Sequence, residues 1–276
     1  MDFYRAATKK EKKMSRPMAK ILLVFGILLV LGILSGGIYL VKYSDFLKTK
    51  NVEVVGLAGG FSADDLVANL KDFLVKNSKI SSFLGGDNIL IWHGGAEEFL
   101  KEHPQLEKLA VQADYFSKKV VVNAKEREKF GVWCLKKAEG EEILSGNCFW
   151  FDKNGVAFAE APTIETEIIK QVEDYSGRNL RAGDEVLPDN LIANLAAVFE
   201  ILGAANLNTN KIHLADLSLQ EVSTESSDSN PKAYFSLRFN PEFALSAIDS
   251  LKKSGDWGRL SYVDFRVENR VYYKFK

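Results

Sequence analysis

Cysteine and histidine are scarce in this chain, with two cysteines and three histidines among its 276 residues. His93, His103 and His213 lie far apart and show neither an i, i+4 pair nor the HExxH pattern of a metalloprotease. The sequence places no further metal ligands near the cysteines, so we expect no metal site and no cofactor. We interpret the three histidines as solvated or capping side chains.

Several motifs that mark enzymes are also missing. The chain has neither the GxSxG motif of hydrolases nor the GxxxxGK[ST] loop that binds nucleotide phosphates. The acidic pair Asp64 and Asp65 cannot act together on a helix, because adjacent side chains point about 100° apart. The segment at 152–155 is similar to a calcium loop but lacks a third ligand and the late glutamate. We therefore expect a protein without a reaction of its own.

Charge is divided unevenly along the chain. The first 20 residues hold seven cations against two acids, and the residues after position 41 hold 29 cations against 35 acids, a net charge of −6. Such a mildly acidic domain offers no broad basic surface to a nucleic acid. We expect neither a nucleic acid nor a small-molecule substrate as a partner.

A long apolar run begins at Ile21, ends at Val41 and contains no charged residue. As a helix it would extend about 30 Å, which matches the hydrocarbon core of a bilayer. A cleaved signal peptide, the alternative, has an apolar region of about 7–15 residues and a small-x-small cleavage site. The longer run, which has no Ala-x-Ala after it, favours an uncleaved anchor. The basic flank predicts a cytoplasmic N-terminus and a single pass through the cell membrane.

Both cysteines lie after this anchor. Cys134 and Cys148 sit in the segments GVWCL and NCFWF, which have the composition of strands. If these strands pair as a hairpin, the two cysteines face each other and a disulfide is possible outside the cytoplasm. Two buried free thiols remain the alternative.

Periodicity predicts an α+β fold with two groups of elements after the anchor. The first group has a strand at 51–57, helices at 63–77 and 97–102, and strands at 106–114 and 118–125. The second group is mostly β, with an Asn-Gly hairpin turn at 152–155 and a polar loop at 223–230. Its strands are predicted at 130–135, 148–152, 156–158, 166–172, 212–222, 233–239, 262–267 and 270–275, and its helices at 190–202, ended by Gly203, and 242–251.

Five segments in this order resemble the FtsQ/DivIB family of bacterial cell-division proteins. They are VEVVG after the anchor, HPQLEKLAVQADYF, KVVVNAKEREKFGVW with Glu126 and Arg127 before a tryptophan, FWFDKNGVAF, and the ending SYVDFRVENRVYYKF. The resemblance covers nearly everything from Ile21 to the C-terminus. It implies a basic cytoplasmic tail at 1–20, an anchor at 21–41, a POTRA-like docking domain at 48–127 and a larger, mostly antiparallel β domain with flanking helices at 128–276.

The resemblance also implies a binding role. In this family, late strands of the β domain offer an edge that other single-pass division proteins (FtsB/FtsL-like) extend by strand addition. The implied localisation is the division septum, where the protein would couple septum assembly to cell-wall synthesis. The partner-binding residues carried over to this chain are Tyr262, Asp264, Arg266, Val267, Asn269, Val271 and Tyr273.

The C-terminal pattern fits an edge strand. Val267, Asn269, Val271 and Tyr273 would share one face of an extended strand. A terminal strand tends to lie at a sheet edge, where an added peptide can satisfy its outward backbone groups. A closing strand that only completes the core remains the alternative. Two other functions also remain open, a different POTRA-bearing export or assembly protein and an anchored extracytoplasmic enzyme.

Overall fold

The structure is a computed structural model that describes residues 16–136, 148–162, 169–207 and 209–276. Within these ranges the chain forms six α-helices and twelve β-strands, which confirms the predicted mixture of helix and sheet. The helices are α1 (Arg16–Tyr43), α2 (Ala63–Asn77), α3 (Lys79–Leu84), α4 (Ala96–Glu102), α5 (Asp189–Ala204) and α6 (Phe243–Lys253). The strands are β1 (Asn51–Val55), β2 (Leu106–Asp114), β3 (Lys119–Glu126), β4 (Gly131–Leu135), β5 (Cys148–Phe151), β6 (Ala157–Glu160), β7 (Gln171–Asp174), β8 (Lys211–Leu214), β9 (Glu221–Thr224), β10 (Lys232–Ser236), β11 (Leu260–Phe265) and β12 (Tyr272–Phe275).

Helix α1 is long and apolar enough to cross a membrane. Its stretch Lys20–Tyr43 has 24 residues, and an 18-residue window within it has a mean hydropathy of 2.8 and no buried residue. At about 1.5 Å per residue this stretch is roughly 36 Å long, so it contains the predicted span of 21–41 with a turn to spare. It is the one such helix in the described ranges. Most of the predicted basic tail, residues 1–15, lies outside those ranges.

The chain divides into two compact units. The first takes in the chain up to Val54 together with Ser62–Gly94 and Val111–Val122. The second takes in Val55–Phe61, Gly95–Ala110 and Asn123–Lys276. The predicted domain boundaries at 48, 127 and 128 remain predictions.

Helix α2 has the predicted bounds of 63–77 and buries one apolar face. Leu66, Leu70, Phe73 and Leu74 recur at helical spacing, and all four are buried. Helix α3 follows directly and was not predicted from the sequence. The side-chain oxygen of Ser78 accepts a hydrogen bond from the Ser81 N–H at 3.2 Å and caps its first turn.

Strands β1, β2 and β3 form a small sheet in the order β1-β3-β2. The predicted order of strand, helix, helix, strand and strand is present, with α3 and a 3₁₀ turn at Ile89–Ile91 inserted between the two predicted helices. The POTRA-like character of this group remains a prediction.

The remaining nine strands form one sheet in the order β12-β11-β10-β9-β8-β7-β4-β5-β6. Five of its eight neighbouring pairs are antiparallel and three, β10·β11, β4·β7 and β7·β8, are parallel. Its main core joins apolar residues of the strands, such as Trp133 and Phe235, to Leu195 of α5 and Ile248 of α6. One face of the sheet is therefore packed against the two helices.

The hairpin predicted at 152–155 joins β5 to β6, which pair antiparallel. The Asp152 carboxylate accepts hydrogen bonds from the N–H groups of Asn154 and Val156, at 3.0 and 2.9 Å. Gly155 has φ 80°, a left-handed conformation that glycine adopts without strain. The aspartate and the glycine thus each have a structural role in the turn.

Three sequence predictions are wrong in detail. The single strand predicted at 212–222 is two strands, β8 and β9, separated by a 3₁₀ turn after which Gln220 has φ 54°. Helix α5 continues to Ala204 and does not end at Gly203. The strand predicted from 166 is observed as β7, which begins at Gln171, and residues 163–168 lie outside the described ranges.

Candidate functional site

Strand β12 lies at one end of the nine-stranded sheet. Its strand neighbour in the described residues is β11, and the two pair antiparallel with Val263 opposite Tyr273 and Asp264 opposite Tyr272. All four β12 residues are exposed, and the side chains of Tyr272, Tyr273 and Phe275 are 49%, 49% and 44% accessible. Such a strand presents one side of its backbone to an added chain.

Backbone alternation identifies which amides face outward. The N–H of Lys276 donates to the carbonyl of Arg259, just before β11, at 2.9 Å, so the Lys276 backbone faces β11. In an extended strand successive residues direct their N–H and C=O groups to opposite sides. The backbone groups of Tyr273 and Phe275 therefore face away from β11.

The side chains of β12 divide between the two faces of the sheet. Tyr273 pairs with Val263, which is a core residue, so Tyr273 projects on the helix-packed face. Phe275 shares that face, and its ring lies 5.7 Å from the Tyr273 ring in an edge-on contact. Tyr272 and Lys274 project on the opposite face. An added strand would meet aromatic side chains on both sides.

The other end of the sheet is covered in part by a loop. Beside β6, the Ala157 N–H donates to the Asp184 carbonyl at 2.9 Å, and the Gly183 N–H donates to the Ala157 carbonyl at 2.6 Å. Val156 also bridges to Glu185. The outward backbone groups of Ala157, the first residue of β6, are thereby satisfied within the chain. The two ends of the sheet consequently differ in how many backbone groups they offer to an added strand.

A cluster of charged side chains holds the turn that follows β11. The Arg266 guanidinium donates to the Asp264 carboxylate at 2.6 and 2.9 Å and to Glu221 at 2.9 Å. Burial raises the pKa of Asp264, but the hydrogen bonds and charge of Arg266 outweigh burial and hold that pKa below its usual range. The Arg266 guanidinium also lies 5.0 Å from the centre of the Tyr234 ring. The start of the β11–β12 connection is therefore fixed on the sheet.

The structure brings together only some of the predicted partner-binding residues. Tyr262 and Asp264 lie on β11, Arg266 follows it, and Tyr273 lies on β12. The prediction that Val267, Asn269, Val271 and Tyr273 share one strand face is wrong. Val267 and Asn269 lie in the turn between the strands, and Asn269 has φ 57°, which breaks the extended conformation. Val271 packs against the core.

The two cysteines lie opposite each other in the β4·β5 pair and form a disulfide. Their Cα atoms are 4.0 Å apart, and both side chains are buried. Strand β4 is separated from β12 by five strands in the sheet order. The disulfide therefore has no direct contact with the β12 edge.

One cluster of ionisable residues was missed in the sequence. His213 was interpreted as solvated or capping, yet its two ring nitrogens lie 3.2 Å from Glu173 and 3.1 Å from Glu225. The pKa of Glu173 is lowered to about 2, chiefly by the hydrogen bond from His213 and despite burial, with help from Lys136 and Lys211. Only the pairing of β7 with β8 places Glu173 beside His213.

The three ligand atoms of this cluster lie within 4.8 Å of one another, close enough to coordinate a cation. The ammonium groups of Lys136 and Lys211 already lie 3.3 and 3.7 Å from a Glu173 oxygen. A cation would have to compete with two lysines for that carboxylate, so we interpret the cluster as a partly buried ion-pair network centred on Glu173.

Acidic residues distant in sequence also meet at a small pocket of about 200 Å³. Three acids line it. Glu128 is exposed, Glu107 pairs with Lys125 at 2.7 Å, and Asp152 pairs with Arg127 at 2.6 Å. The two less exposed acids therefore each have a cationic partner, an arrangement typical of structural ion pairs. No family model and no curated protein matches the chain.

Proposed function

We propose that this chain is a single-pass membrane scaffold of the bacterial division apparatus, with no reaction of its own. Helix α1 would confine it to the cell membrane, with the basic tail in the cytoplasm and the folded residues outside. Strand β12 would bind extracytoplasmic segments of other single-pass division proteins by strand addition. Confinement to one membrane raises the effective concentration of such partners, so modest affinities would suffice.

The observation that carries this proposal is the contrast between the two ends of the large sheet. A loop of the same chain bonds to the start of β6, at Ala157, whereas all four residues of β12 are exposed. Natural proteins usually protect an apolar edge, because an unprotected one pairs with other chains. An exposed edge with three aromatic side chains therefore supports a docking role.

The second support is the ordered series of segments that resemble the FtsQ/DivIB family. Their order along the chain agrees with an apolar helix, a small sheet and a large sheet. The resemblance supplies the division apparatus as the setting, and it supplies the kind of partner. The POTRA-like role of the small sheet and the septal localisation belong to this same proposal.

A fluorescent fusion to the N-terminal tail, expressed in dividing cells, tests the proposal. The full chain should concentrate at midcell and recruit later division proteins. Tyr273→Pro should retain membrane localisation and lose recruitment, because proline removes an outward N–H and leaves the β11 pairing intact. The matched control is Tyr273→Ala, which also removes the tyrosine ring but keeps the backbone N–H.

Three outcomes are informative. Recruitment that survives Tyr273→Ala and fails with Tyr273→Pro supports strand addition at β12. Midcell localisation with recruitment unaffected by either change would place the docking surface elsewhere. Uniform membrane signal throughout the cell cycle would overturn the division setting and favour an exported binding protein or an anchored enzyme.

A further inference from the structure

Exposed apolar side chains surround the place where α1 ends in the first unit. Phe46, Ile80, Phe83 and Phe116 are 65%, 73%, 49% and 97% accessible. We call these four residues the helix-exit surface. Single exposed apolar residues are common, but several grouped in one region, as here, mark an interaction site.

The folded part of the first unit is tied directly to the last turns of α1. The Asn88 side-chain amide donates to the Val41 carbonyl at 2.7 Å. The Lys42 ammonium lies 4.4 Å from the centre of the Phe83 ring on α3. These contacts place α3 beside the end of the helix, so Ile80 and Phe83 lie at the level where α1 would leave a bilayer.

The turn between β2 and β3 is tied to the same region. The Lys118 ammonium donates to the Asp45 carbonyl at 3.1 Å and lies 5.0 Å from the centre of the Phe46 ring. The Lys118 carbonyl accepts a hydrogen bond from the Lys50 N–H at 2.9 Å. Phe116, two residues before Lys118, is thereby held close to the segment that follows α1.

The end of α1 has the composition of a membrane–water interface. The Tyr39 and Tyr43 rings lie 5.2 Å apart between centres and are tilted by 36°, and Lys42 lies between them in the sequence. Tyrosines gather at the headgroup level, and lysine ammonium groups extend toward it. Val41, which carries the Asn88 contact, lies in this same turn. The bilayer boundary marked by the tyrosines therefore coincides with the start of the folded unit.

We propose that the helix-exit surface inserts into the headgroup region of the bilayer that α1 crosses. Its four apolar side chains would enter the interface, and Lys42, Lys48 and Lys118 would contact lipid phosphates. The first unit would then be held against the membrane at a fixed orientation. This inference rests on the proposed membrane-spanning role of α1.

The membrane is a better occupant for this surface than another protein. The Asn88–Val41 bond, the Lys42–Phe83 contact and the contacts of Lys118 with Asp45 and Phe46 all lead to the last turn of α1 or to the few residues after it. Lipid headgroups are necessarily present at that level, and the mixture of aromatic rings and lysines suits them. A protein partner would first have to displace them.

Nitroxide labels on the full chain in lipid nanodiscs that hold one copy each provide the test. Single cysteines are introduced at Ile80, at Phe116, at Leu31 within α1 and at Leu219, a comparably exposed apolar residue of the second unit at 52% accessibility. The native cysteines remain in their disulfide. Accessibility is compared between lipid-soluble oxygen and a water-soluble nickel complex.

We expect the oxygen-to-nickel ratio at positions 80 and 116 to exceed that at 219 several-fold and to stay below that at 31, which lies at the centre of the bilayer. If position 31 is lipid-like while 80 and 116 match 219, the helix spans the bilayer but the helix-exit surface does not touch it, and the inference is overturned. If position 31 is itself water-exposed, the anchoring role fails, and the inference fails with it.

Discussion

The backbone N–H of Lys276 donates to the carbonyl oxygen of Arg259 at 2.9 Å, and this single bond fixes the orientation of β12. Because alternate residues of a strand face opposite sides, Tyr273 and Phe275 direct their backbone groups away from the sheet. Strand addition needs such outward groups, so the C-terminal residues are the ones we expect a partner to bind.

Loss of the Arg266 side chain should loosen the docking edge. Arg266 bonds to both Asp264 and Glu221, and its removal leaves a partly buried carboxylate without a cation. We expect Arg266→Ala to lower the free energy of unfolding by ~1–2 kcal/mol at neutral pH, an amount reduced because Arg266 is partly exposed. Urea unfolding of the full chain in detergent would measure it, and Lys119→Ala, at an exposed ion pair with Glu53, should change stability by less than ~0.5 kcal/mol.

Glu173 should lower the free energy of unfolding of the second unit as the pH falls below 4.5. Its pKa is lowered from an ordinary value of 4.5 to about 2, so its stabilising effect is complete above pH 4.5 and is lost as the pH falls toward 2. We expect Glu173→Gln to cost ~2–3 kcal/mol near neutral pH and progressively less below pH 4.5.

Unfolding curves of the Glu173→Gln variant at several pH values would test this prediction. Glu225 is the matched control, because its side chain contacts the other ring nitrogen of His213 but is 66% exposed. Glu225→Gln should change stability by less than ~0.5 kcal/mol. An equal loss from both changes, or a loss that does not depend on pH, would contradict the role given to Glu173.

Gly56 should tolerate no side chain. It has φ 95°, and a Cβ atom there would lie 2.5 Å from the Ala124 carbonyl oxygen, which belongs to the backbone and cannot move aside cheaply. We expect Gly56→Ala to destabilise by ~2–3 kcal/mol, from strain and overpacking together. Gly59→Ala is the control, because its φ of 104° is similar but a Cβ atom there meets nothing within 4 Å. It should cost only ~1 kcal/mol, and equal thermal shifts for the two variants would refute the steric explanation.

The disulfide should stabilise the second unit without affecting docking. Cys134 and Cys148 are separated by 14 positions, and a crosslink across a loop of that size contributes ~3 kcal/mol. The double change Cys134→Ala and Cys148→Ala should therefore lower the melting temperature of the full chain. Recruitment of partners through β12, five strands removed, should persist at temperatures where the chain stays folded.

Local sequence signals predicted some elements well. The four apolar residues of α2 at helical spacing gave its bounds of 63–77, and alternation gave those of β2 at 106–114. The segment 212–222 was predicted as one strand because both of its ends are apolar. In the structure a 3₁₀ turn, followed by Gln220 in a left-handed conformation, divides it into β8 and β9. At the C-terminus the alternation of 267–273 suggested one strand, yet Asn269 takes a turn conformation.

The sites depended on pairing that a single sequence does not reveal. Glu173 and His213 are 40 positions apart and meet because β7 and β8 are neighbours in register. The edge position of β12 likewise follows from the order of nine strands. Composition could suggest that the last strand is an edge, but it is the strand order within the described residues that places β12 at one end of the sheet.

Photo-crosslinking from β12 in dividing cells tests the docking claim most directly. A photoreactive amino acid replaces Phe275, whose backbone faces outward, and in a parallel strain it replaces Leu219, which is similarly exposed but lies away from the edge. We predict crosslinks from position 275, and not from 219, to the extracytoplasmic segment of another single-pass division protein. If neither position captures such a protein, or both capture the same ones equally, β12 is not the docking edge.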